Sequence, residues 1–129
     1  MIIADVNLVV YLLTDCPQRE RAAALFQRDP DWWLPHLWRH EFLNVVVTLA
    51  RKGVIAEGGA IDLWRNGIEL FGIRELQPNY ERAIELAMKH GISGYDAQYV
   101  ALADELGTSL VTEDARLVRK VPDHCCRLD

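Results

Sequence analysis

The sequence predicts an α/β sandwich, a mostly parallel sheet flanked by helices. Three observations lead there. Short apolar runs, such as Met1 to Ala4 and Ser109 to Thr112, alternate with longer stretches of helical period, and that alternation calls for crossover connections between parallel strands. Half of the 129 residues are hydrophobic and 26% are charged, which excludes disorder and supplies one sizeable core. No linker, repeat or low-complexity stretch divides the chain, so residues 1–129 read as a single domain.

The elements follow in order. Met1 to Ala4 reads as a buried strand and Val6 to Thr14 as a short helix. Pro17 suits the first turn of a second helix, Gln18 to Arg28, with Ala22, Leu25 and Phe26 on one face. Asp29-Pro30-Asp31 marks a turn. Trp32 to Leu34 reads as a short strand, and Pro35 as the start of a long helix ending at Gly53. A further helix, broken by Gly67, is predicted from about Ala60 to Leu70, and a strand at Ile73 to Leu76. Pro78-Asn79 opens a helix from Tyr80 to His90, whose apolar face is read as Ala83, Ile84, Ala87 and Met88. Gly94 to Leu106 is predicted helical and stopped by Gly107. Strands are expected at Ser109 to Thr112 and at Cys125 to Leu128.

Composition narrows the class. No apolar stretch reaches the roughly 18 residues that span a bilayer, and the apolar start lacks the basic region and cleavage site of a signal peptide. Cys16, Cys125 and Cys126 make an odd number without metal spacing, which favours a reducing cytoplasm and gives no zinc signature. The net charge of −5 argues against a nonspecific nucleic-acid binder. An enzyme acting on nucleic acid would need metal ions and a local basic patch to offset it.

Four acids stand where a lone carboxylate is costly: Asp5, Glu41, Asp96 and Asp114. Asp5 closes the first apolar run, and Asp114 follows Leu110-Val111-Thr112. Both lie just past strand ends, where open α/β sheets bind ligands. Asn7 and Thr112 add polar groups beside them. Glu41 sits on a helix with Leu37, Trp38, Asn44 and Val45 three and four residues away, none of which carries a countercharge. Asp96 opens a helix with no other charge from Tyr95 to Ala103. Ordinary readings exist: helix N-caps for Asp5 and Asp114, dipole stabilisation for Asp96, and an arginine partner such as Arg39 or Arg116 for Glu41. Needing all four at once weakens them. Two like charges about 4 Å apart repel by roughly 4 kcal/mol at an effective dielectric near 20. A hard cation, Mg²⁺ or Mn²⁺, relieves that repulsion, and hard ions in a carboxylate bowl point to phosphoryl-transfer chemistry.

The stretches Ile2-Ile3-Ala4-Asp5-Val6-Asn7, Trp38 to Val45, Gly94 to Ala103 and Leu110 to Leu117 together resemble the PIN-domain nucleases and, in size, the VapC-type toxins of toxin–antitoxin pairs. The resemblance covers nearly the whole chain. It implies a PIN-like three-layer sandwich with a four- or five-stranded sheet. It also implies a Mg²⁺- or Mn²⁺-dependent endoribonuclease whose metal-binding, catalytic acids match Asp5, Glu41, Asp96 and Asp114, with Asn7 and Thr112 as auxiliaries. An RNA substrate, a cognate antitoxin and a homodimer are implied with it. Glu113, beside Asp114, departs from the pattern as an extra acid.

Other features carry weaker signals. Arg39, Arg116, Arg119 and Lys120 neighbour the acids and are candidates for an RNA path, as are Arg51 and Lys52, though solvated surface cations read equally well. His36, His40 and Glu41 are ordered wrongly for a zinc protease. Trp33 and Trp64 are candidates for a groove between the long helix and the next one, fit for a partner helix. A dehalogenase-type phosphatase lacks its second acid here, because Asn7 stands in that place. A receiver domain lacks its paired acids and late lysine. The rival of another class is a noncatalytic PIN-like module that holds RNA or protein without cutting it.

Overall fold

The computed structural model describes residues 1–129. Five strands form one sheet: β1 (Ile2–Ala4), β2 (Trp32–Pro35), β3 (Glu75–Leu76), β4 (Leu110–Thr112) and β5 (Cys125–Arg127). Their order is β3-β2-β1-β4-β5 and every neighbouring pair is parallel. Seven helices connect them: α1 (Val6–Leu13), α2 (Arg19–Arg28), α3 (Trp38–Arg51), α4 (Glu57–Phe71), α5 (Tyr80–His90), α6 (Gly94–Leu106) and α7 (Ala115–Lys120).

The strands are short, so the period-two alternation of their side chains builds both cores at once. Trp32 and Leu34 of β2, Ala4 of β1 and Val111 of β4 enter one cluster with Leu8, Trp38, Phe42 and Phe71. Ile3 and Leu110 point to the opposite face and join Leu86, Val100, Leu102 and Leu117. The sheet is therefore the middle of three layers.

Order along the sheet also places the site. After β1 the chain steps outward to β2 and β3, then returns across β1 to β4 and β5. The carboxyl ends of β1 and β4 thus flank the point where the winding direction reverses, the position at which such sheets leave a crevice. Asp5 follows β1, with its N–H donating to Val111 O at 3.1 Å, and Thr112 ends β4.

Several predicted boundaries are corrected. Pro35 ends β2, paired with Leu76, and does not start the long helix; a proline fits the last position of a strand whose partner there is only two residues long. The helix begins three residues later at Trp38. Gly67 does not break α4, which runs uninterrupted from Glu57 to Phe71. Its role is close approach, for a Cβ there would overlap Phe42 Cε2 and stand 2.7 Å from Cζ. On α5 the buried residues are Ala83 and Leu86, whereas Ile84 is 64% and Met88 82% exposed. Ala83 and Leu86, three residues apart, share the helix face that packs inward, and the helical period leaves Ile84 and Met88 turned away from it.

Gly67→Ala is expected to destabilise the fold by about 1–3 kcal/mol, the usual cost of overpacking. Gly58→Ala, on the same helix with open space around it, should stabilise by about 0.5–1 kcal/mol. Denaturant unfolding of the two variants checks the contrast in sign.

Candidate active site

Asp5 is fixed by two hydrogen bonds. Thr112 Oγ1 donates to its Oδ2 at 2.6 Å, and the Asn7 backbone N–H donates to its Oδ1 at 3.2 Å. The fully buried Thr112 hydroxyl also accepts from the Asp114 N–H at 3.1 Å. A single hydroxyl therefore ties the ends of β1 and β4 together. Asn7 contributes through its main chain, while its residue as a whole is exposed.

Asp114 caps α7, accepting from the Leu117 N–H at 3.1 Å through Oδ1. The capping readings of Asp5 and Asp114 are thus both correct, and each carboxylate keeps further oxygen lone pairs for other partners. Asp96 lies in the first turn of α6, where its N–H donates to the Ser93 Oγ cap at 3.0 Å.

Glu41, in the first turn of α3, has neither Arg39 nor Arg116 for a partner. Its Oε1 accepts from the hydroxyl of buried Tyr99 at 2.7 Å. Arg39 is engaged elsewhere, with Nε on Glu75 and Nη2 on Gly72 O. Sequence reasoning missed Tyr99. The available signal was its place three residues after Asp96, on the same face of α6.

Electrostatics gather the acids further. Burial pushes the Asp5 carboxyl above its ordinary range, against the bonds from Thr112 and Asn7, and the charges of Asp96 and Asp114 add to the rise. Glu41 is raised by burial and by the charges of Asp5 and Asp96, with the Tyr99 bond opposing. Asp96 is raised by burial and by Asp114, while Ser93 and Arg116 pull the other way. The Tyr99 phenol is held well above its usual value by burial and by Glu41. No cation stands within 4.0 Å of the Asp5, Glu41, Asp96 or Asp114 carboxylates.

Glu113 is turned to other partners. Arg21 Nη2 donates to its Oε2 at 3.1 Å and Arg127 Nε lies 3.7 Å from Oε1. Of the tryptophans, Trp32 and Trp38 are core. Trp33 donates to Asp31 at 2.7 Å beneath the Arg74 guanidinium and does not line the groove between α3 and α4. Trp64 does line a groove of about 540 Å³ between α3 and α4, with Leu43, Val46, Val47 and Ile61.

The donor set is entirely oxygen, partly buried and mutually repelling, which suits a hard cation and offers nothing to a soft one. No three His, Cys, Asp or Glu side chains as they stand enclose an ion.

The PIN domain family profile matches residues 2–122. The chain belongs to the PIN-domain family. Ribonuclease VapC3 of Pyrobaculum aerophilum is 29% identical over 124 residues, which is 94% of this chain and 95% of that protein. The crystal structure of PAE2754 from Pyrobaculum aerophilum matches this PIN domain with a TM-score of 0.75 at 20% identity, over 99% of this chain and 92% of that one. FitAcB from Neisseria gonorrhoeae gives 0.68 at 21% identity, over 97% and 96%. The five-stranded parallel sandwich is thus the PIN fold that the sequence predicted. No helix of this PIN-domain protein is long and apolar enough to cross a membrane.

Proposed function

We propose that residues 1–129 act as one endoribonuclease domain, the toxin of a toxin–antitoxin pair, hydrolysing RNA phosphodiester bonds with Mg²⁺ or Mn²⁺. What supports this reading is the linkage of the acids. Thr112 ties Asp5 to the Asp114 main chain, and Asp114 and Asp96 line one hollow. Tyr99, of the same helix as Asp96, holds Glu41, and none of the four carboxylates is ion-paired. The likeness to a protein named ribonuclease VapC3 supports it. Asp5, Glu41, Asp96 and Asp114 would hold the cation, Asp114 rather than Glu113 because Glu113 is ion-paired with Arg21 and Arg127. When bound, such a cation supplies an activated water and stabilises charge on the departing oxygen.

The chain's own part is orientation. Thr112 holds Asp5 and the Asp114 main chain in one register. Tyr99 holds Glu41 toward the site. Desolvation by the surrounding core strengthens every charge–charge interaction there.

The test is RNA cleavage that requires Mg²⁺ or Mn²⁺ and ceases with chelator. A folded protein that cuts no RNA from a total cellular pool would move the assignment to the noncatalytic binding module. The apolar groove between α3 and α4 supports an amphipathic antitoxin helix as partner. The exposed Tyr80, Ile84 and Met88 of α5 support a second copy of the chain.

Tyr99→Phe leaves an oxygen of Glu41 without its donor. Cleavage should fall about 10-fold, the lower end for loss of a group orienting a metal ligand, with a stability loss of about 1–1.5 kcal/mol. Initial rates measured beside thermal melts separate the two.

A further inference from the structure

A negatively charged substrate must approach a group of carboxylates on a protein of net charge −5, so the position of unneutralised cations beside that group is informative. Several of the chain's cations are already committed. Arg39 is fastened to Glu75, Arg21 to Glu113, Arg74 to Asp31 and Arg82 to Asp104. Arg116 is different. It lines a polar hollow of about 200 Å³ together with Ser93, Asp96, Asp114 and Lys120. It faces the Asp96 and Asp114 carboxylates across that hollow, yet makes no ion pair within 4.0 Å and no side-chain hydrogen bond. Lys120 spends one Nζ hydrogen on Gly91 O at 2.8 Å and keeps two.

A guanidinium beside two carboxylates that pairs with neither is placed for a third anion. We propose that Arg116, with Lys120, forms a subsite for the RNA phosphate next to the one that is cut. This rests on the nuclease reading above. The hollow opens between α6 and α7 and includes Asp96 and Asp114, so a strand whose scissile phosphate reaches the acids lays a neighbouring phosphate into it. A planar guanidinium binds phosphate oxygens in pairs, and the lysine adds a point charge. Arg119 does not line the hollow and has no part in it.

The experiment measures binding of a short mixed-sequence single-stranded RNA by fluorescence anisotropy, on an Asp5→Asn background that prevents turnover, between about 50 and 200 mM salt. Arg116→Gln should weaken binding several-fold and lower the slope of log affinity against log salt by about 0.7, one phosphate contact on a single strand. Arg65→Gln, an exposed cation of α4 outside the hollow, removes the same net charge and should change neither. Equal behaviour of the two variants, with wild-type protein still cleaving RNA, overturns the subsite and leaves the nuclease intact. Arg116→Gln that weakens only an acidic peptide, and not RNA, also overturns it, in favour of a protein ligand. Wild type that neither binds nor cuts RNA removes both readings together.

Discussion

Asparagine at position 96 is expected to reduce RNA cleavage by at least about 100-fold, beyond the 10- to 100-fold typical of groups one shell further out. The substitution keeps the volume and leaves the Ser93 cap in place, because that cap holds the Asp96 main chain and not its carboxylate. What it removes is one negative charge from the set shared with Asp5, Glu41 and Asp114. Asp5→Asn should act alike; its amide oxygen can still accept from the Asn7 N–H at the start of α1, while the bond that Thr112 donates to the second carboxylate oxygen is lost. Cleavage rates, with circular dichroism confirming an intact fold, check both. An Asp96→Asn protein that cuts at the wild-type rate would remove Asp96 from the chemistry.

The second large effect is on stability. Mn²⁺ at ~100 times its dissociation constant should add about 2.7 kcal/mol if only the folded bowl binds it. In chelator the order reverses: Asp5→Asn or Glu41→Gln should be more stable than wild type by about 1–2 kcal/mol, the scale of like charges about 10 Å apart at an effective dielectric near 20. The sign follows from the raised carboxyls of Asp5 and Glu41. A folded-state pKa above the unfolded value means that the folded protein binds more protons, so this contribution erodes stability as pH rises through that range. The advantage of the variants is therefore complete at neutral pH and vanishes as pH falls below the ordinary carboxylate range. Melting curves at several pH values, with chelator and with Mn²⁺, measure it. An unchanged melting temperature on adding Mn²⁺ would sink the metal assignment.

The fold was legible because each strand of β1 and β4 is a short apolar run bounded by a polar residue, and each of α5 and α6 starts on a cap and stops on a glycine. Asn79 and Ser93 cap them, and Gly91 and Gly107 adopt positive φ at their ends. What stayed hidden depended on neighbours distant in sequence. Pro35 reads as a helix start until Leu76 is seen beside it. Gly67 reads as a break until Phe42 is found against it. The inward face of α5 depends on where α6 lies. In the site, acids at strand ends could be picked out singly because their surroundings are apolar. Tyr99 could not, because a tyrosine amid Ala97, Val100 and Ala101 looks like core, and only the fold reveals that its hydroxyl meets a residue 58 positions away.

The Thr112–Asp5 bond spans 107 residues, and β1 lies in the middle of the sheet although it is made first. A chain still emerging from the ribosome with Leu110 unmade has Asp5 and Glu41 but no neighbour on that side of β1, and neither Thr112 nor Asp114. The set of four acids is consequently completed late, once Thr112 and Asp114 have been added. If the proposed nuclease reading holds, the newly made chain cannot cut RNA until β4 has been added beside β1.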